Sequence, residues 1–258
     1  MKKKLLFTGL VVVAVLVIVL LVLPRGQKAL PEKIVVGSSA DFAPFEYVDE
    51  ITGELKGFDL DLMRAIGEEL GMEVEIKNVA WDGIIPGLLS GNYNVIASGL
   101  TITEERQEVV NFTDPYINAG QVIVVRAGDD SITSPADLAG KKVAVQVNTT
   151  GDLKATEMME EEGIAITEIR RFNNAPDAFL ELMNGGVEAV VIDLGVAGEQ
   201  FKATPGIYQM AGEPFTVEEY GFALRKSDTE LLEKINAALV SLRSKGVYDE
   251  IYERYFGN

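Results

Sequence analysis

Short apolar runs of strand length alternate with amphipathic helical stretches along almost the whole chain beyond residue 30, and the alternation begins twice. Such a pattern builds sheets covered by helices, so the fold class is α/β. Ile34-Val35-Val36-Gly37 predicts a buried strand, followed by a polar and aromatic loop over 38–45. A turn at Thr52-Gly53 between apolar runs predicts a hairpin within 46–58. From Asp59 onward, Leu60, Leu62, Met63, Ile66 and Leu70 recur at helical spacing, and Gly71 stands where the helix should stop. A strand over 73–79, a short helix over 82–89 and a buried strand over 94–97 are expected next. Thr103-Glu104-Glu105-Arg106 reads as a helix start capped by Thr103.

After Asp114-Pro115-Tyr116 the alternation restarts. Strands are expected over 121–125, 142–145, 165–169 and 188–192, a capped short helix over 134–138, and helices over 150–162 and 176–183, joined by parallel crossovers. A strand over 220–224 and helices over 229–245 and 248–255 close the chain. Two α/β units of this size leave a cleft at the carboxyl ends of their strands, where a small ligand binds. The expected architecture is therefore two lobes, residues 30–115 with 221–258 and residues 116–220, joined by hinges near 115–120 and 216–220.

Ahead of these units, Lys2, Lys3 and Lys4 precede an uncharged run over 5–23, interrupted only by Thr8 and Gly9. A secretory core is about 7 to 15 residues and ends in small residues. This run reaches spanning length and leads into Pro24-Arg25-Gly26-Gln27-Lys28 with no clean cleavage signature. Residues 1–29 are thus a signal peptide or an uncleaved membrane anchor. In either case the basic end stays inside and the remainder is exported, to the periplasm or the cell surface.

The formal charge of −17 repels phosphate backbones and argues against nucleic acid as a partner. The chain has no Cys and no His. Disulfides, zinc–thiolate sites, Cys nucleophiles and Ser-His-Asp chemistry are excluded, and so is tethering through a lipid-modified Cys. An enzyme built from this sequence would have to work with carboxylates, Lys, Tyr or bound metal. No metal site and no cofactor are expected.

The most specific stretch is Ala97-Ser98-Gly99-Leu100-Thr101-Ile102-Thr103-Glu104-Glu105-Arg106, a strand end, a polar loop and a capped helix carrying Arg106. Free N–H groups at a helix start and a guanidinium together make a carboxylate cradle. The alternative for Arg106 is a surface ion pair with Glu104 or Glu105. The loop Gln146-Val147-Asn148-Thr149-Thr150 also joins a strand to a helix, so Thr149 or Thr150 either caps that helix or shares its N–H groups with an anion. Asp193 follows a buried strand, where it serves as an N-cap or as the counter-charge to an ammonium group. Phe42 and Trp81 lie in loops and can enclose a hydrocarbon stem or stack on a planar cation.

Ala43-Pro44-Phe45-Glu46, Gly57-Phe58-Asp59-Leu60-Asp61-Leu62, Trp81-Asp82-Gly83-Ile84-Ile85-Pro86, Gly99 to Arg106, Phe112-Thr113-Asp114-Pro115-Tyr116 and Tyr220-Gly221-Phe222-Ala223 occur in this order. With the Tyr-rich C-terminal helix they make the sequence from Ile34 to Phe256 resemble the extracellular solute-binding proteins of polar amino-acid ABC importers, in the glutamine-, histidine- and lysine/arginine/ornithine-binding branch. The resemblance implies a two-lobed periplasmic-binding-protein fold that holds a free L-amino acid, acts as a monomer and delivers its ligand to a membrane permease. It implies that Arg106 with the Thr101 and Thr150 amides holds the α-carboxylate. Asp193, the Gly99 carbonyl and the Thr101 hydroxyl would hold the α-ammonium group, and Phe42 and Trp81 would enclose the side chain. Ser98 and Gln146 would set selectivity. Ser39 stands where cation-selective relatives often carry Asp, which leaves Asp41 or Glu46 to supply that charge and Gln146 to suit a glutamine-like ligand.

Two other functions fit the same fold. One is an enzyme resembling the cyclohexadienyl dehydratases, with Glu46, Asp41 or Asp193 as the acid. The other is an extracellular amino-acid sensor module. Amine binding by Asp193 argues against the first, and the lack of a signalling domain in this sequence argues against the second.

Overall fold

A computed structural model describes residues 30–257. The segment 1–29, with its basic cap and apolar run, lies outside the described residues. The first sheet is reached at once by β1 (Lys33–Ser38), after which β2 (Asp41–Phe42), β3 (Glu46–Val48) and β4 (Leu55–Lys56) form a small antiparallel sheet of their own. Helix α1 (Phe58–Leu70) buries Phe58, Leu60, Leu62, Met63 and Ile66, and Gly71 ends it in the left-handed conformation with its N–H bonded back to Glu68. Then come β5 (Glu73–Asn78), a 3₁₀ turn Trp81–Gly83, α2 (Ile84–Leu89), β6 (Val95–Ile96), α3 (Glu104–Val109) and β7 (Val110–Phe112).

A short strand, β8 (Ile117–Ala119), leads to the second sheet. That sheet draws on β9 (Gln121–Arg126), β10 (Lys142–Gln146), β11 (Glu168–Phe172), β12 (Ala189–Asp193) and β13 (Tyr208–Ala211), with helices α4 (Thr150–Glu160), α5 (Ala175–Met183) and α6 (Leu194–Ala203) between them. The chain returns through β14 (Glu218–Tyr220) and ends in β15 (Ala223–Arg225), α7 (Thr229–Ser244) and α8 (Val247–Phe256).

The strand order is β5-β1-β6-β15-β7 in the first lobe and β11-β10-β12-β9-β13 in the second. Central strands are apolar on both faces because helices cover both sides, as in β12, where all of Ala189 to Asp193 are buried. Helices α7 and α8 pack on α1, so the C-terminus completes the lobe that the N-terminal half begins. Between the two sheets, β8 and β14 pair antiparallel with Tyr220 opposite Ile117.

Four expectations need correction. The second sheet is mixed, since β9 runs antiparallel to both β12 and β13. The strand expected over 165–169 is β11, three residues later, an edge strand carrying Glu168, Arg170 and Arg171, whose polarity hid it behind the apolar Ile164 and Ile166. The run over 220–224 is two strands in different sheets, with Gly221 and Phe222 at the change. The helix over 82–89 is a 3₁₀ turn followed by α2.

Candidate functional site

Strand ends from the two sheets converge on one cavity in the cleft between the lobes. The first lobe contributes Ser39, Asp41, Phe42, Glu46, Trp81, Ser98, Gly99, Thr101 and Arg106, and the second contributes Gln146, Thr149, Thr150 and Asp193. Every residue singled out from the sequence as a ligand contact therefore lies on this cavity, and Glu46 joins them.

Arg106 is at the first turn of α3, where its N–H bonds Thr103 Oγ1 at 3.2 Å, the expected cap. The residue is 9 % exposed, which does not fit the alternative of a surface ion pair with Glu104 or Glu105. It donates through Nη1 to the Thr101 carbonyl at 2.9 Å and through Nη2 to the Asn148 carbonyl across the cleft at 3.2 Å, and lies 5.7 Å from the Trp81 ring centroid. Asn148 reaches that position with φ of 59°, a left-handed conformation that Asn tolerates better than most residues. Burial lowers the guanidinium's proton affinity, and Asp193 across the cavity pulls it back up. Trp81 adds a second bridge between the lobes, donating from Nε1 to the Val147 carbonyl at 3.0 Å.

Asp193 occupies the N-cap position of α6 but makes no capping bond. Its carboxylate instead accepts a short hydrogen bond from the Tyr220 hydroxyl, so the capping alternative is overturned. The group is 3 % exposed, and burial raises its pKa to about 6. Thr149 is the cap of the facing helix α4, accepting from Asp152 N–H at 3.3 Å, which leaves Thr150 as its first residue with an amide that has no intrahelical partner. Gly99 has φ of 50°, and its N–H donates to Asp59 at 2.8 Å. A Cβ there would stand 3.0 Å from the Phe42 ring, so only glycine lets the loop pass beneath that aromatic wall.

Asp41 faces the cavity beside Ser39, whose hydroxyl donates to it at 3.4 Å, and Gln146 also bonds it. Burial raises its pKa to about 6. Glu46 is fully buried, accepts from Ser98 Oγ at 3.1 Å, and is pushed well above the usual carboxylate range by burial and by the neighbouring Asp59. Asp59 keeps two donors on its Oδ2, Gly99 N–H and the Tyr116 hydroxyl at 2.6 Å. Burial also raises Asp59, to about 7, and its two donors favour it over Glu46 as the site of the negative charge the pair carries. Burial thus makes Glu46 a poor source of negative charge for a ligand.

The sequence reading offers Glu46 as a spare charge or as a cleft acid of the enzyme alternative, and does not count it among the ligand contacts. It also misses Tyr220, Gln121 and Glu218 as supports. These three sit in or beside the crossover strands, where no local pattern marks a side chain as aimed at a distant cleft.

The description "bacterial extracellular solute-binding proteins, family 3" matches residues 34–258. A probable histidine-binding protein of Neisseria gonorrhoeae is 38 % identical over 224 residues, which is 86 % of this chain and 82 % of that one. An ancestral arginine-binding protein solved with arginine superposes with a TM-score of 0.83 at 46 % identity, covering 88 % of this chain and 99 % of the other. An ancestral arginine-binding protein solved with glutamine gives 0.82 at 46 %, covering 89 % and 100 %.

Proposed function

Because the chain belongs to family 3 of the bacterial extracellular solute-binding proteins, we propose that it binds a free L-amino acid with a cationic side chain outside the cytoplasmic membrane and delivers it to the permease of an ABC importer. The observation that carries this reading is charge placement. Arg106 and Asp193 face one cavity from different lobes, and Asp41 adds a further carboxylate on the Ser39–Gln146 side.

A zwitterion satisfies the first two groups. Its carboxylate takes the guanidinium in bidentate fashion together with the Thr101 and Thr150 amides, and its ammonium takes Asp193 and the Gly99 carbonyl. Phe42 and Trp81 flank the side chain, with Ser98 below it. Asp41, half-buried and held only by the neutral donors Ser39 and Gln146, then remains to be neutralised, and a cationic side chain does so where glutamine does not. Ser39 where relatives carry Asp is compensated from two positions later.

Binding energy comes from both lobes only when they meet, so ligand favours the closed form that a permease can distinguish. The paired strands β8 and β14 serve as the hinge between residues 30–115 with 221–258 and residues 116–220. One chain completes the cavity, which supports action as a monomer. The segment 1–29 directs export and tethers the protein if it is retained.

The test is a thermal-shift screen of the full chain against the twenty amino acids. A ligand at about a hundred times its Kd adds about 2.7 kcal/mol. L-Arginine and L-lysine should give the largest shifts; no shift from any amino acid would remove the assignment. A second reading, an enzyme using Glu46 as a general acid, draws on a carboxyl at the cavity wall whose proton affinity burial raises. Turnover of prephenate or arogenate by the purified chain would establish it, and the amine partner Asp193 argues against it.

A further inference from the structure

We propose that Glu218 is a positioning residue that clasps the two lobes and fixes the Thr101 hydroxyl so that its oxygen faces the ligand's ammonium group, an inference that rests on the amino-acid-binding reading above. Glu218 is not on the cavity wall. It stands behind it on β14, the return strand between the lobes.

One oxygen of this carboxylate, Oε2, accepts from Thr101 Oγ1 at 3.1 Å and from Thr150 Oγ1 at 2.7 Å. The other, Oε1, accepts from Thr216 Oγ1 at 2.8 Å, and Thr216 in turn accepts from the Gln121 N–H at 2.7 Å. Thr101 precedes α3 in the first lobe, while Thr150 opens α4 in the second. Two hydroxyls from opposite lobes can share a single oxygen only with the lobes together. The carboxylate comes from the connection itself, so it is well placed to register closure without belonging to either wall.

The proton count gives the second half of the argument. A hydroxyl carries one hydrogen, and an ionised carboxylate can only accept. The shorter approach to Glu218 takes the Thr150 proton, and the Thr101 proton has the Glu218 oxygen at 3.1 Å, nearer than the Thr150 hydroxyl at 3.3 Å. The Thr150 oxygen is taken by Gln121 Nε2 at 3.1 Å. With its proton on Glu218 the Thr101 oxygen is left as an acceptor, Thr101 lines the cavity, and an acceptor is what an ammonium group needs. Without Glu218 that hydroxyl is free to turn its proton toward the ammonium.

The absence of Cys allows clean labelling, so spin labels at Glu68→Cys on α1 and Glu160→Cys on α4 of the full chain report the distance between lobes. Stopped-flow release and association of L-arginine are measured on the same background. Glu218→Ala should speed release about tenfold or more, leave association within about twofold, and lengthen the inter-lobe distance without ligand. Glu218→Gln retains one acceptor oxygen and should recover most of the loss. Glu218→Ala combined with Thr101→Val should release no faster than the worse single variant, because both remove the same oriented oxygen. Wild-type release and distance in Glu218→Ala, or full additivity with Thr101→Val, would overturn the clasp. If the wild type binds no amino acid, the function proposed above fails, and the inter-lobe distance alone decides the clasp.

Discussion

Replacing Asp193 by Asn should stabilise the empty protein while destroying its function. Burial lifts this carboxyl from its ordinary 3.8 to about 6, and the net value already contains the attraction of Arg106 and the bond from Tyr220. At about 1.4 kcal/mol for each tenfold change in proton affinity, holding the ionised form in the folded state costs about 3 kcal/mol. The direction follows from proton counts. Because the folded pKa is raised, the unfolded chain releases its proton first, so this group's contribution to stability is intact below about pH 4 and is lost as pH rises to about 6. The substituted amide would keep an oxygen for the Tyr220 hydroxyl and carry no charge, so it escapes the loss. Urea unfolding of ligand-free protein should show Asp193→Asn more stable than wild type by about 3 kcal/mol at about pH 7.5, with the gap closing towards zero near pH 4. The variant should give no thermal shift with L-arginine. A variant no more stable than wild type at that higher pH, or a gap that ignores pH, would refute the reasoning.

Arg106→Ala leaves the Thr101 and Asn148 carbonyls without their donor and should weaken L-arginine binding by about a hundredfold or more in calorimetric titration. Asp41→Asn should reduce L-arginine affinity by about tenfold or more while changing L-glutamine affinity far less in a competition assay; equal losses would deny Asp41 its role in selectivity. Gly195→Ala places a Cβ 2.8 Å from the Phe45 ring, which belongs to the other lobe. Overpacking of this kind costs about 1–3 kcal/mol, and since the contact forms where the lobes meet, L-arginine affinity should drop in calorimetric titration.

The fold was legible where the pattern was local. Helix α1 follows from the spacing of Leu62, Met63, Ile66 and Leu70 and from Gly71 at its end, and α3 from Thr103 at its start. Short or exposed strands left weaker marks: β7, β8 and β13 went unread, and β11 was displaced because an edge strand needs little apolar surface. Arg106, Thr149, Thr150 and Asp193 are legible because backbone geometry at strand ends and helix starts exposes them to a cleft, whereas Ser39, Ser98 and Gln146 rest on the family resemblance. The state of each was not legible. Asp193 as an unused cap, the raised proton affinity of Glu46 beside Asp59 and Asp41 as an inward group all depend on contacts between segments far apart in sequence. Charge repulsion between Glu46 and Asp59 in particular has no local signature, since residues 46 and 59 meet only through the turn of the hairpin and α1.

The position of β15 has a consequence for how the molecule comes into being. In the first sheet β15 lies between β6 and β7, although it is the last strand to be made. Until residue 225 has emerged, β6 and β7 lack the neighbour that joins them in register, and α7 and α8 are not there to cover α1. The second sheet has no such dependence, since its five strands are contiguous from β9 to β13. During synthesis and passage across a membrane the middle of the chain can therefore fold while its flanks wait, and the cavity is among the last features to form.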